Sequence, residues 1–203
     1  QPQASTDARA EICAQGDKLR DKGRMDAATV AACKKRLESA DALGDLTPCT
    51  LVVEAIVERL DAKRSLFAAL EDIVSDAAVL ATNTSSLSVT AIAAGLRHPR
   101  RFAGLHFFNP VPLMKVVEVI AGLQTDTRVC TALTSYVRQM GHTPVLASDT
   151  PGFIVNHAGR GYGTEALRIV GENVADFATV DRILKDQVGF KLGPFELMDL
   201  TAL

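Results

Sequence analysis

The sequence predicts an α/β fold that gives way to an all-α segment, and three observations carry that prediction. Short, nearly continuous apolar runs of strand length, at 51–56 and 78–83, alternate with stretches whose apolar residues recur at helical spacing. Such runs suit strands covered on both faces, as in a parallel sheet flanked by helices. Beyond Asp149-Thr-Pro-Gly152 the pattern turns to helices only, which marks an expected boundary between a first unit at 1–148 and a second at 149–203.

In chain order, residues 6–22 have helical composition with Gly16 as an interruption and Gly23 as a stop. Asp26 offers an N-cap to a second helix through Val30, Cys33 and Leu37, so the two make a helical hairpin. Lys18 and Lys22 lie one helical turn apart on it. The run at 51–56 reads as a strand buried on both faces. After it, Leu66, Phe67, Leu70, Ile73 and Val74 define a helix with Lys63, Arg64, Glu71 and Asp72 expected on its surface. A strand at 78–83 ends in Thr84-Ser85-Ser86, where one hydroxyl is expected to cap a short helix at 89–94. Two strands at 101–106 and 114–120 flank Asn109-Pro-Val-Pro112, a loop that its prolines stiffen. A helix at 126–140 stops at Gly141, and a last strand follows at 143–147. The helices of the second unit are expected at 153–170, 176–188 and 194–203. Gly159, Gly161 and Gly163 fall inside the first of these, with the wrong spacing for a phosphate loop, so close helix packing is expected there.

The polar residues of 83–156 fall where apolar ones belong. In the strand at 114–120, Glu118 shares a face with Met114, Val116 and Ile120, so its carboxylate is expected to be buried. A buried carboxylate needs a partner. His106, at the end of the neighbouring apolar run, is the obvious one, because ligand sites in open α/β sheets lie at strand ends. A lone histidine beside two phenylalanines is more often a core residue, and a lone buried glutamate is often structural. Held together, they form a histidine with a fixed tautomer, which is how a general base for an alcohol proton is built.

Four motifs resemble, in order and spacing, the L-3-hydroxyacyl-CoA dehydrogenase family: Ala81-Thr-Asn-Thr-Ser-Ser-Leu87, Gly104-Leu-His-Phe-Phe-Asn-Pro-Val-Pro112, Val117-Glu-Val-Ile120 and Asp149-Thr-Pro-Gly-Phe-Ile-Val-Asn156. The resemblance runs from about Asp17 to the last residue. It implies an incomplete Rossmann-like, NAD-binding α/β domain followed by the start of an α-helical domain, and NAD-dependent oxidation of a (S)-3-hydroxyacyl-CoA to the 3-oxoacyl-CoA in fatty-acid or aromatic-acid degradation. The stretch Asn156-His-Ala-Gly-Arg-Gly-Tyr-Gly163 looks most like bacterial members acting on short or dicarboxylic acyl-CoAs, of the 3-hydroxybutyryl-CoA or 3-hydroxyadipyl-CoA type.

Site residues follow from the same resemblance. His106 is the implied base, Glu118 its orienting carboxylate, and Ser85 and Asn156 the groups on the substrate oxygens. Glu58, Lys63, Ser85 and Asn109 lie by the cofactor; Lys18, Lys22 and Arg24 of the hairpin are the candidates for the CoA phosphates, against the commoner reading of a charged helix face as simply solvated. Without the family register, Glu58 is an exposed helix-start acid and Lys63 a solvated lysine. Family members pair as dimers through the helical domain, so a homodimer is implied.

The sequence contains no Gly-x-Gly-x-x-Gly turn, which such a cofactor fold places after its first strand. The chain is therefore expected to be an internal piece of a longer protein, cut at both ends. That leaves a competing reading, a non-catalytic acyl-CoA-binding or assembly module. A third, a 3-hydroxyacid dehydrogenase of the 3-hydroxyisobutyrate type, fits less well because those enzymes use a lysine base. No Gly-x-Ser-x-Gly elbow points to a serine hydrolase. A net charge of −2 with mixed signs argues against nucleic acid as a partner. No apolar run approaches bilayer length, so no membrane association and a cytoplasmic location are expected. Cys13, Cys33, Cys49 and Cys130 are scattered without a metal or disulfide pattern; Cys13 and Cys33 are expected to be reduced packing residues.

Overall fold

The computed structural model describes residues 2–201. Helices α1 (Pro2–Asp21) and α2 (Ala27–Arg36) form the hairpin. Gly16 does not interrupt α1: a Cβ there would make only an ordinary contact with Val30 of α2. Gly23 turns the chain at φ +65°, and the Asp26 carboxylate accepts from the Thr29 N–H, as an N-cap does. Cys33 proves exposed rather than packed.

Five strands follow in spatial order β1 (Leu51–Glu54), β2 (Val79–Thr82), β3 (Phe102–Phe107), β4 (Val116–Ala121) and β5 (Thr143–Ser148). All neighbours are parallel except β3 and β4, which pair antiparallel. Helices α3 (Leu60–Glu71) and α4 (Val89–Ala93) cover one face, packing Phe67, Leu70, Val89 and Ile92 on Leu80, Phe102 and Ile120. Helix α5 (Thr127–Gln139) covers the other, setting Val129, Leu133 and Val137 on Ala103, Leu105 and Val119. A Cβ at Gly104 would lie 2.8 Å from Ile120 Cβ and 2.9 Å from Val89 Cγ2, so that glycine is what lets α4 sit down on β3 and β4.

Three expectations change here. β1 is not buried on both faces: it lies at the edge of this sheet, Val53 is exposed, and its one fully buried residue is the charged Glu54. Lys63 and Glu71 are not on the surface of α3 but buried, because the first turn of α3 faces the end of β1 and Glu71 accepts the backbone N–H groups of Arg97 and His98. The strand bearing Glu118 begins at Val116, so Met114 belongs to the preceding loop; Ile120 does share the buried face of Glu118.

Beyond β5, α6 (Val155–Gly171), α7 (Phe177–Ile183), a wide turn at Leu184–Val188 and α8 (Pro194–Thr201) enclose Ala166, Val180 and Phe195. Residues 202 and 203, expected to end α8, lie outside the described residues. Of Gly159, Gly161 and Gly163 in α6, only Gly163 is in close packing, against the Met198 methyl; Gly159 and Gly161 face open space. The Asp181 carboxylate accepts from the N–H groups of Phe195 and Glu196 and so ties α7 to the first turn of α8.

Candidate active site

The antiparallel register puts His106 directly opposite Glu118, on the face covered by α3 and α4. Their side chains meet: His106 Nδ1 is 2.7 Å from Glu118 Oε2, with the histidine 3% and the glutamate 0% exposed. The other carboxylate oxygen, Oε1, accepts from the backbone N–H groups of Ile154 and Val155, each at 2.9 Å. These are orphan donors at the start of α6, where a negative group is favoured. Glu118 thus faces donors only, so Nδ1 carries the imidazole proton and Nε2 keeps its lone pair. Ser85 Oγ, 3.0 Å from Nε2, donates to it.

The linker that delivers those two N–H groups is tightly shaped. Gly152 has φ +78° and Phe153, a non-glycine residue, φ +47°. A phenylalanine held in the left-handed region is strained and must be fixed by its surroundings. Its ring is buried and packs on the imidazole with centroids 5.8 Å apart, while Phe108 lies against His106 at 4.5 Å. The histidine is therefore enclosed except toward Ser85.

Ser85 sits in a turn that Glu58 organises. Glu58 Oε1 accepts from Thr84 Oγ1 at 2.5 Å, from the N–H groups of Ser85 and Ser86 at 2.9 and 3.0 Å, and from Ser86 Oγ at 3.1 Å. Partial burial alone pushes this carboxyl up, but the hydrogen bonds from Thr84, Ser85 and Ser86 and the contact with Lys63 outweigh it and hold it at about 2. Glu58 is therefore more than an exposed helix-start acid. Lys63 is not solvated: Nζ is enclosed by Glu54 Oε1 at 2.6 Å, Glu58 Oε2 at 3.2 Å and the Ile56 carbonyl, so it acts on the site through Glu58.

None of Thr84, Ser85 and Ser86 caps α4. Ser88 does, accepting from the Ala91 N–H, and Asp149 takes the N–H groups of Val89 and Thr90 together with the Ser88 hydroxyl. Burial raises the Asp149 carboxyl, while the bonds from Thr90, Ser88 and Val89 lower it further than burial lifts it.

Asn156, in the first turn of α6, reaches back so that Nδ2 lies 3.5 Å from the Ser85 carbonyl, which brings it to the same cleft. Asn109 lies in the exposed loop after β3 and shares no hydrogen bond with these residues among those described. Lys18, Lys22 and Arg24 are exposed on the hairpin and pair with none of them. The sequence reading passed over Glu54, Thr84, Phe153 and Asp149. Glu54 carried the same signal as Glu118, an acid in an apolar strand; Asp149 opens one of the four motifs but carried no local signal of its partners, which lie some sixty residues earlier.

Fold and site together define a class: an α/β sheet with a carboxylate-held histidine and a serine gathered at its strand ends, closed by the first helix of an α-helical segment. The chain belongs to the 3-hydroxyacyl-CoA dehydrogenase family. The model of that family's NAD-binding domain matches residues 1–150, and that of its C-terminal domain residues 152–203. The chain is 45% identical over 179 residues to 3-hydroxyadipyl-CoA dehydrogenase of Escherichia coli, covering 88% of this chain and 38% of that protein. It is 43% identical over 165 residues to human mitochondrial hydroxyacyl-coenzyme A dehydrogenase, covering 81% of this chain and 52% of that one. The chain thus spans about half the length, or less, of these relatives. Among solved structures, 3-hydroxybutyryl-CoA dehydrogenase from Escherichia coli superposes with a TM-score of 0.95 at 43% identity, covering 99% of this chain and 43% of that one. NAD is the cofactor of the family domain matched. Beside Glu58, whose carboxylate accepts from the Ser85 N–H, the apolar pair Ile56 and Val57 is exposed, a surface on which a flat ring of such a cofactor could rest. No described residue offers the glycine-lined helix start that takes a pyrophosphate in such folds.

Proposed function

We propose that the protein containing this chain oxidises a (S)-3-hydroxyacyl-CoA to the 3-oxoacyl-CoA with NAD. The observation that carries this is the placement of His106, with Nδ1 2.7 Å from Glu118 Oε2 and Nε2 3.0 Å from Ser85 Oγ, which leaves Nε2 as the acceptor when Glu118 accepts from the Nδ1 proton. His106 takes the C3 hydroxyl proton at Nε2, and the new imidazolium is matched by the Glu118 carboxylate against Nδ1. Ser85 and Asn156 hold the substrate oxygens, and the Phe108 and Phe153 rings keep water from the imidazole. NAD, when bound, supplies the hydride acceptor. Glu58, Lys63 and Asn109 serve its side of the cleft, and Lys18 and Lys22 offer charge to the CoA phosphates.

The relatives named for 3-hydroxyadipyl-CoA and 3-hydroxybutyryl-CoA support a short or dicarboxylic acyl group. The division of labour runs at residue 149, with the sheet before it and the helical unit after it. Pairing as a homodimer through the helical unit is supported by its exposed Phe177, Leu197 and Leu200. No helix among the described residues is long and apolar enough to cross a membrane, and the reading includes a cytoplasmic location.

The test is His106→Gln in the full-length protein. Turnover of 3-hydroxybutyryl-CoA should fall by about a hundred- to ten-thousand-fold, the usual worth of a general base, while NADH titration shows binding retained. Turnover close to wild type would overturn the assignment of the base.

A further inference from the structure

The carboxyl end of β1 holds a second buried ion pair that the chemistry at His106 does not touch. The side chains of Glu54 and Lys63 are each 1% exposed and 2.6 Å apart. Desolvating two charges is costly enough that an apolar pair of similar volume often serves a fold as well or better. Packing of α3 on β1 therefore gives no reason for charges at this point; what the pair holds does. Glu54 is pinned from its own side, since Oε2 accepts from Thr82 Oγ1 at 2.7 Å and Oε1 from the Ile56 N–H at 2.5 Å. Its partner Lys63 passes that fixity on to Glu58 Oε2, 3.2 Å away. Glu58 is 38% exposed, where water competes for a carboxylate, and it is the common acceptor for Thr84, Ser85 and Ser86. A desolvated ammonium aimed from beneath is what keeps such a carboxylate in one place.

We propose that Glu54 is a positioning residue for the dehydrogenase reaction: through Lys63 it fixes Glu58, and through Glu58 the 84–86 turn, so that Ser85 Oγ meets His106 Nε2. This rests on the function proposed above. The strand end of β1 thereby sets the geometry of a hydroxyl in the turn after its neighbour β2.

The test uses the full-length protein and its turnover of 3-hydroxybutyryl-CoA with NAD. The double variant Glu54→Leu/Lys63→Met removes both charges at similar volume but leaves the Thr82 hydroxyl and the Ile56 N–H without their acceptor, so it should fold with a melting temperature only modestly below wild type. Its kcat should nonetheless fall by roughly ten- to a hundred-fold, the scale of a misplaced catalytic group, with a smaller change in KM for the acyl-CoA. Glu58→Gln should lower kcat to a similar extent, and adding it to the double variant should cost little more, because the three residues act in one chain. If the double variant does not fold, the cycle of Glu54→Gln with Glu58→Gln reads the same coupling. Wild-type kcat in a stable double variant, or losses that multiply in the cycle, would overturn the proposal. A wild-type protein that does not turn over the substrate would remove the underlying function instead, and shows this before any variant is made.

Discussion

Glu118→Gln isolates the contribution of one oxygen atom. The carboxylate accepts three N–H groups, from His106 on Oε2 and from Ile154 and Val155 on Oε1. A glutamine keeps one acceptor and turns the other into a donor. Facing its NH2 group toward α6 would oppose two backbone donors that cannot change, whereas facing it toward His106 opposes one donor that can. The imidazole then shifts its proton to Nε2 and accepts at Nδ1. The hydrogen bonds survive with the wrong tautomer. Replacing charge-assisted bonds, worth about 1.5–3 kcal/mol each, by neutral ones at about 0.5–1.5 gives a loss of about 3–4.5 kcal/mol over the three. Turnover suffers far more, since Nε2 no longer offers a lone pair; the same tautomer error in a serine protease triad costs about 10⁴ in kcat. Urea unfolding and NADH absorbance during turnover measure the two quantities separately. A variant that unfolds as expected yet keeps kcat within about tenfold of wild type would refute the claim that the Glu118 oxygen fixes the His106 tautomer.

Two further outcomes follow from other parts of the fold. Gly104→Ala places a methyl 2.8 Å from Ile120 Cβ and 2.9 Å from Val89 Cγ2 in a closed core, so thermal melting should show a loss of about 1–3 kcal/mol; an unchanged melting temperature would mean that α4 is free to lift. The Glu58 carboxyl lies at about 2 in the fold against an ordinary value of 4.5. It therefore contributes stability that is complete above 4.5 and is lost as pH falls from there toward 2, by less than the shift alone implies because solvent screens a half-exposed group. Urea unfolding followed down through that window should show a steeper decline in wild type than in Glu58→Gln, and equal slopes would contradict it.

How much of this was legible in the sequence depended on whether the cause was local. Strand alternation placed Glu118 on the buried face, and the apolar run ending at His106 put the imidazole beside it, because a period of two leaves an acid nowhere else to go. The cap at Asp26 was visible for the same reason, lying within three residues of its donor. Lys63 and Glu71 were misjudged because a charge on a helix surface is normally solvated, and nothing local says that one turn of α3 faces Glu54 and another the loop at Arg97 and His98 before β3. The edge position of β1 was hidden as well, since a run of Leu, Val and Ile reads alike whether one face is covered or two.

Two carboxylates cap helices from a distance, a role that no local pattern shows. Asp149 satisfies the first N–H groups of α4 from the end of β5, and Glu118 those of α6 from the middle of β4. Each carboxylate therefore does what an N-cap does, while joining elements far apart in sequence. The chain between them, from Asp149 through the strained Phe153 to Val155, is held at both ends and packs its ring on the imidazole. One end steadies α4, which follows the Ser85 turn, and the other orients His106. The distance from Ser85 Oγ to His106 Nε2 is in consequence set by how the helical unit docks on the sheet, not by the sheet alone.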